Sequence, residues 1–148
     1  MTELDEPAAG ARVLLAVRSD DLDPNGHVRG PVYLAYADHA RWLTLEAAGI
    51  DVADLLARGI GPVNLETTLR FHRELRALDQ VEVHTRFEWT TGKVSRVEQR
   101  LVRSSDGTLV AEVSSVSGLL DLTERKLLPR PDQYWRSLAT DPAVLGLT

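Results

Sequence analysis

Two spacings of hydrophobic residues divide the chain, and each predicts a different kind of element. Residues 32–48 contain no Gly or Pro, and their apolar residues lie around most of a helical wheel. We therefore predict one long helix that begins at Pro31, and a helix that is apolar nearly all round is usually buried. From Gly61 onward apolar and polar residues alternate, which indicates strands that bury one face.

The first alternating segment, which ends at Phe71, illustrates the pattern. The residues predicted to face the core are Val63, Leu65, Thr67, Leu69 and Phe71. Those predicted to face water or an interface are Asn64, Glu66, Thr68, Arg70 and His72. Such alternation is typical of an antiparallel sheet that packs on one side only.

The order of the predicted elements indicates an α+β fold. Strands are predicted at residues 11–18, 61–71, 81–89, 94–103 and 109–120. A short helix at 51–58 has Asp51 as its cap and Gly59 as its stop. In a small domain, a curved five-stranded antiparallel sheet wrapped around a long central helix buries that helix most fully.

The length of 148 residues favours one domain with flanking segments. We predict a flexible leader at residues 1–10, the sheet-and-helix domain at 11–122, and a C-terminal extension at 123–148 packed on it. The extension contains three prolines and a short predicted helix at 131–138. Tyr134 and Trp135 are expected to anchor that helix.

Composition narrows the class of protein. A hydrophobic fraction of 43% and a charged fraction of 26% are ordinary for a soluble globular chain. We expect a cytoplasmic protein, because no apolar run approaches a membrane span and the start of the chain lacks the pattern of a signal peptide. The absence of cysteine excludes disulfides, a thiol nucleophile and thiolate metal sites. The four histidines are scattered without ligand spacing, so no metal site is predicted.

The net charge of −5 argues against nucleic acid and anionic membranes as partners, and the lack of a long apolar run argues against membrane insertion. A polyanionic ligand would need a local basic patch. The arginines that are candidates for such a patch are Arg29, Arg41, Arg70, Arg73 and Arg76. Each is alternatively a solvated surface charge.

The candidate chemistry lies in the loop before the long helix. Asp23-Pro24-Asn25-Gly26 is a strong turn sequence. Gly30 precedes the helical proline where a capping side chain would normally stand, so the first helical N–H groups are predicted to be unclaimed. Such a helix end can hold an anion or a developing oxyanion. A carboxylate, the imidazole of His27 and this helix end together form a candidate reaction site.

A strand, then Asp-x-x-Gly-His-Val, then Pro-x-Tyr-Leu-x-Tyr leading into a long helix resembles the acyl-CoA thioesterases of the hotdog fold, 4-hydroxybenzoyl-CoA thioesterase type. The segment from Phe71 to Val83 also resembles that family, and the likeness spans roughly residues 12–122. It implies that Asp23 is the catalytic carboxylate and that Gly30 N–H polarises the thioester carbonyl. It also implies an acyl-CoA or acyl-carrier thioester as substrate, coenzyme A only as part of that substrate, no cofactor, and a homodimer or a dimer of dimers with the site between two units.

The role of each candidate residue has an alternative. Asp23 is a nucleophile or a general base, or else a turn former. His27 positions water or protonates the leaving thiolate, or else bonds the loop backbone. Asp38 is a supporting polar contact or the second-choice catalytic acid, or else an ion-pair partner of Arg41.

Further residues are candidates for binding the substrate. They lie near the loop, on the helix or at the end of the second strand: Arg29, Pro31, Tyr33, Asp38, Arg70 and Arg73. Tyr33, Tyr36, Trp42 and Leu43 line an acyl pocket or are plain core.

Two other functions fit the same fold. One is a noncatalytic module that binds or senses acyl-CoA. The other is a hydratase or dehydratase, in which an Asp and a His handle the proton of an acyl-CoA. Those enzymes resemble Gly-Asp-x-Asn-Pro-x-His, whereas here Asp23 and His27 are four apart and Pro precedes Asn.

Overall fold

A computed structural model describes residues 11–148, so the predicted leader lies outside the described residues. The strands are β1 (Ala11–Ala16), β2 (Ile60–Phe71), β3 (Gln80–Glu88), β4 (Ser95–Arg103), β5 (Leu109–Asp121) and β6 (Lys126–Leu127). The helices are α1 (Gly30–Ala47), α2 (Val52–Ala57) and α3 (Pro131–Leu138). Short 3-10 helices span Ser19–Asp21 and Pro142–Leu145.

The five long strands form one antiparallel sheet in the order β1-β3-β4-β5-β2, with β6 added to β5. The sheet curls around α1, so the predicted α+β architecture is confirmed. Tyr33 and Ala37 of α1 share a core cluster with Val83, Leu101 and Val113 from three neighbouring strands. The two-residue strand β6 was not predicted.

The prediction that α1 is buried nearly all round is wrong for one face. Ala37 and Ala40 are fully buried, but Trp42 is 41% exposed. Ala35, Asp38, His39 and Glu46 lie on the same exposed side. The sheet covers only the face of the helix that it touches, so the opposite face, including Trp42, is open in the single chain.

A β-bulge in β2 reverses the predicted orientation of its first residues. Asn64 pairs with Ser117 but Glu66 pairs with Val116, so Leu65 is the extra residue. An extra residue shifts the period of two by one position. Asn64 therefore faces α1 and Val63 does not, contrary to the prediction. Beyond the bulge the predicted alternation resumes, and Thr67 Oγ1 lies 3.3 Å from Ser115 Oγ. Phe71, which was predicted to be core, is nevertheless 57% exposed.

The C-terminal segment completes a second core cluster beneath the end of α1. Trp135, Leu145 and Leu147 are buried there together with Leu45. The indole N–H of Trp89 donates to Leu145 O over 2.7 Å. The predicted helix at 131–138 is present with those bounds, and Trp135 is its buried anchor.

Candidate active site

Backbone hydrogen bonds fold the loop before α1 into a tight hairpin. Asp23 N–H donates to His27 O over 2.8 Å, and Arg29 N–H donates to Asp21 O over 2.9 Å. Val28 N–H donates to Leu75 O, which ties the hairpin to the segment before β3. This pairing places Asp21 beside Arg29, the residue that precedes Gly30.

Asp23 has a structural role within this loop. Its Oδ1 accepts hydrogen bonds from Asn25 N–H over 2.8 Å and from His27 N–H over 3.0 Å. This is the side-chain turn that Asp commonly makes in such sequences. The second oxygen, Oδ2, has no hydrogen-bond donor among residues 11–148. Asp23 therefore holds the turn with one carboxylate oxygen, and the other makes no hydrogen bond within the described residues.

The start of α1 has the uncapped N–H predicted from the sequence. The N-cap residue Arg29 is extended and makes no side-chain cap, and the first turn contains no acidic residue. Within the described part of the chain, Gly30 N–H has no hydrogen-bond acceptor. The ring of Phe71 lies 3.5 Å from where a Gly30 side chain would begin. A free N–H at a helix N-terminus suits a carbonyl oxygen that becomes negative.

His27 contributes its backbone N–H and carbonyl to the turn. Its imidazole is half-buried and lies near Glu74. The pKa of Glu74 is lowered to about 2, first by a hydrogen bond from Arg76 and, as a smaller contribution, by the field of His27. The ring of His27 makes no hydrogen bond within residues 11–148.

Two buried tyrosines of α1 support the loop. The hydroxyl of Tyr36 donates to Asp21 Oδ2 over 2.6 Å, and burial together with that carboxylate raises the pKa of Tyr36. The hydroxyl of Tyr33 accepts from the buried Leu75 N–H over 2.9 Å, and burial raises its pKa as well. Tyr33 and Tyr36 were predicted either to line an acyl pocket or to be part of the core. Both belong to the core cluster.

The predicted basic residues do not form a single patch. Arg29 Nη2 donates to Asp20 O over 3.3 Å at the loop, and Arg73 Nη1 donates to His72 O over 2.9 Å. Arg70 pairs in register with Glu112 on the outer face of the sheet, away from α1. Pro31 is exposed at the second position of α1. Of these substrate-binding candidates, Arg29 and Pro31 flank Gly30 in the chain, while Arg70 lies on the opposite face of the sheet.

A second polar group lies farther along α1. Arg41 Nη1 donates to Asn64 Oδ1 over 2.6 Å, and Arg41 Nη2 donates to Ser117 Oγ over 3.1 Å. Burial lowers the pKa of Arg41, and the charge of Asp38 opposes that effect. The alternative ion pair between Asp38 and Arg41 is not formed, because no carboxylate of the described residues lies within 4 Å of this guanidinium.

Asp38 and Asn64 also line a cavity of about 160 Å³ beside Arg41. Neither Asn64 nor Ser117 was predicted to be a site residue. A bulge, which alternation does not reveal, turns Asn64 toward the helix.

Two classes of feature are absent from the described residues. No helix within residues 11–148 is long and apolar enough to cross a membrane. In the same part of the chain, no group of three or more His, Asp or Glu side chains is arranged to hold a metal ion.

Comparison with known proteins identifies the family to which this fold and loop belong. The family model of the thioesterase-like superfamily matches residues 17–138. The chain therefore belongs to the thioesterase-like superfamily, and the predicted resemblance to hotdog thioesterases is confirmed. Its class is that of the thioester hydrolases.

Several solved structures share the fold. The 1,4-dihydroxy-2-naphthoyl-CoA thioesterase Slr0204 from Synechocystis has a TM-score of 0.78 and 17% identity, covering 86% of this chain and 93% of its own. The probable thioesterase YbaW from Escherichia coli has a TM-score of 0.74 and 23% identity, covering 90% and 98%. The protein SAV2348 from Staphylococcus aureus, solved in complex with CoA, has a TM-score of 0.73 and 17% identity, covering 85% and 80%.

Proposed function

We propose that the protein is an acyl-CoA thioesterase that hydrolyses an acyl thioester to a free acid and a thiol, with Asp23 as its carboxylate. Two groups of one hairpin loop carry the proposal. Oδ2 of Asp23 accepts no hydrogen bond, and Gly30 N–H, next to the paired residue Arg29, has no acceptor within the described residues. Family membership and the CoA complex of SAV2348 support the choice of substrate.

In the proposed reaction, Gly30 N–H binds the thioester oxygen as negative charge develops on it. Asp23 either attacks the carbonyl carbon, giving a mixed anhydride that water then hydrolyses, or removes a proton from the attacking water. The carbon–sulfur bond breaks and the thiolate leaves. His27 is proposed to position that water or protonate the thiolate. Water is the only co-reactant, so no cofactor is needed and coenzyme A enters as part of the substrate.

The structure favours Asp23→Asn as the test of this role. An Asn side chain retains the oxygen that accepts from Asn25 and His27, so the turn should persist while the reactive carboxylate is lost. We expect thiol release from acyl-CoA to fall by about 10²–10⁴-fold with an unchanged melting temperature. Asp20→Asn, in the same loop but exposed, is the matched control. Equal turnover by wild type and Asp23→Asn would refute the assignment.

Asp38 is the alternative carboxylate, favoured by its position in the cavity beside Arg41. If Asp38→Asn abolishes thiol release and Asp23→Asn does not, the reaction is centred on the helix instead of the loop. If the folded wild type binds acyl-CoA tightly without releasing thiol, the chain is a noncatalytic binding module.

We also propose that two copies pair through β2 to form a homodimer, the unit from which a dimer of dimers would be built. This strand of 12 residues is an edge of the sheet, and its Leu65 and Phe71 are 52% and 57% exposed. A long open edge strand is a template for pairing with another strand. Partners related by a two-fold axis use the same surface on both copies.

Such pairing would build each site from both copies. α1 runs antiparallel to β2, since Gly30 lies by Phe71 and Arg41 lies by Asn64. Antiparallel pairing of β2 with its copy therefore sets the Phe71 end of one strand near the Asn64 end of the other. The Gly30 loop of one copy then faces the Arg41 cavity of its partner.

Sedimentation equilibrium tests this assembly. We expect twice the chain mass of 16.4 kDa for the wild type, and a single-chain mass for Leu65→Lys. Leu56→Lys is the control, because Leu56 is equally exposed at 52% but lies on α2. A monomeric wild type at micromolar concentration would overturn the proposal.

A further inference from the structure

Two adjoining cavities lie between the second half of α1 and the sheet, and Arg41, Leu45 and Pro62 form walls of both. The outer cavity, of about 160 Å³, opens beside Asp38 and Trp42. The inner one measures about 30 Å³, so it is nearly filled by its own walls. A group that enters from the outside therefore passes Arg41 before it reaches the inner end.

Aromatic side chains close the inner end. Phe87 and Trp89 stack with ring centroids 5.6 Å apart, and Trp135 of α3 lies beside them. Trp89 is fixed by its hydrogen bond to Leu145 O, and Trp135 is only 7% exposed. The C-terminal extension thus supplies a rigid apolar floor to the cavity.

Arg41 is a cation with neutral partners. It donates to the amide oxygen of Asn64 and to the hydroxyl of Ser117, and a guanidinium has five N–H groups in all. Arg41 is half-buried, and the donors that remain on its guanidinium can make charge-assisted hydrogen bonds to an acceptor oxygen. Asp38, on the rim of the same cavity, already supplies a negative charge nearby. That charge favours a neutral carbonyl or hydroxyl oxygen over a second carboxylate.

We propose that this cavity holds the acyl group, that Arg41 donates to a neutral carbonyl or hydroxyl oxygen carried beyond the thioester, and that Trp135 limits the length of the acyl chain. The proposal rests on the thioesterase function proposed above and names its substrate class. Short oxo- or hydroxy-substituted acyl groups with an apolar tip are the expected substrates.

The first experiment measures kcat/KM for 3-oxohexanoyl-, 5-oxohexanoyl- and hexanoyl-CoA. In the wild type, one of the oxo substrates should be preferred over hexanoyl-CoA by about tenfold or more. In Arg41→Met the preference should fall to about one. The comparison is a ratio within each variant, so partial loss of folded protein does not alter it. Arg136→Met, at an exposed residue of α3, is the matched control and should keep the preference.

The second experiment tests the floor with hexanoyl-, octanoyl- and decanoyl-CoA. Trp135→Ala should raise the relative rate on decanoyl-CoA by about tenfold, because it removes the wall at the inner end. If Trp135→Ala is unstable, Trp135→Leu provides the same comparison. An unchanged length profile in a folded variant, or an unchanged oxo preference in Arg41→Met, would overturn the inference.

Binding of free acids separates this inference from the proposed function. Titration calorimetry with 5-oxohexanoate, 3-oxohexanoate and hexanoate needs no turnover. Binding of an oxo acid that depends on Arg41, without thiol release from any acyl-CoA, would refute the thioesterase function and retain the cavity. Equal turnover of oxo and unsubstituted acyl-CoAs would refute the role of the cavity and retain the thioesterase function. A preference for glutaryl-CoA over both oxo substrates would show that Arg41 binds a carboxylate, contrary to the proposal.

Discussion

The guanidinium of Arg41 and the side-chain oxygen of Asn64 meet at 2.6 Å beneath the exposed face of α1. Asn64 Oδ1 also accepts from Ser117 Oγ over 2.9 Å, so one oxygen joins a helix and two strands. The contact exists because the bulge at Leu65 turns Asn64 inward.

Replacing Asn64 with Leu should destabilise the fold, because it removes one of the two acceptors of a half-buried guanidinium. We expect the free energy of unfolding to fall by about 0.5–1.5 kcal/mol. Asn64→Asp keeps an oxygen at the same place and is the matched control. Urea titration at fixed protein concentration measures both variants. Equal stability of Asn64→Leu and the wild type would show that the contact contributes nothing.

Gly49 should tolerate no side chain. It has φ of +84°, and a side chain there would overlap Thr140 Oγ1 and lie 2.9 Å from Thr140 Cβ. Gly107, with φ of +71° and open space around it, shares the conformation without the clash. We expect Gly107→Ala to cost about 1–2 kcal/mol and Gly49→Ala clearly more. Thermal unfolding of both, and of Gly49→Ala combined with Thr140→Ala, separates the two effects, since the double variant should recover part of the loss.

The last residues of the chain should be necessary for full stability. Leu145 is 1% exposed and its carbonyl holds the Trp89 indole. Leu145→Ala should lower the free energy of unfolding by about 2–5 kcal/mol, since it leaves a cavity. Leu56→Ala, at an exposed position, should change it by less than about 0.5 kcal/mol. Indistinguishable urea midpoints for these two variants would contradict the packing described.

The start of α3 should be sensitive to acid. Arg130 Nε and Nη2 donate to the two oxygens of Asp132 over 2.9 and 2.8 Å, and this lowers the pKa of Asp132 below its ordinary value of 3.8. Because the folded-state pKa is the lower one, the pair stabilises the fold above about pH 4 and loses that effect as the pH falls through the folded-state pKa. The wild type should therefore be more stable than Asp132→Asn at pH 6, and the difference should shrink as the pH falls below 4. A constant difference across that range would exclude the linkage.

Local chemistry explains why much of the fold was predictable. The Asp23 turn, the cap at Asp51, the bounds 131–138 and the absence of a cap at Gly30 depend on residues that are neighbours in the chain. The alternation of apolar and polar residues after Gly61 is likewise a local pattern, because successive side chains of a strand point to opposite faces.

What the sequence by itself determined, then, is the five long strands, the three helices, the turn with its carboxylate, and the family. Only the tertiary structure decided which faces stay open, that Asn64 turns toward α1, and that Asn64 and Trp135 border the same pair of adjoining cavities. The physical reason is that a bulge, an edge and a cavity are properties of pairing between distant segments. Turn, cap and periodicity signals carry no information about such pairing.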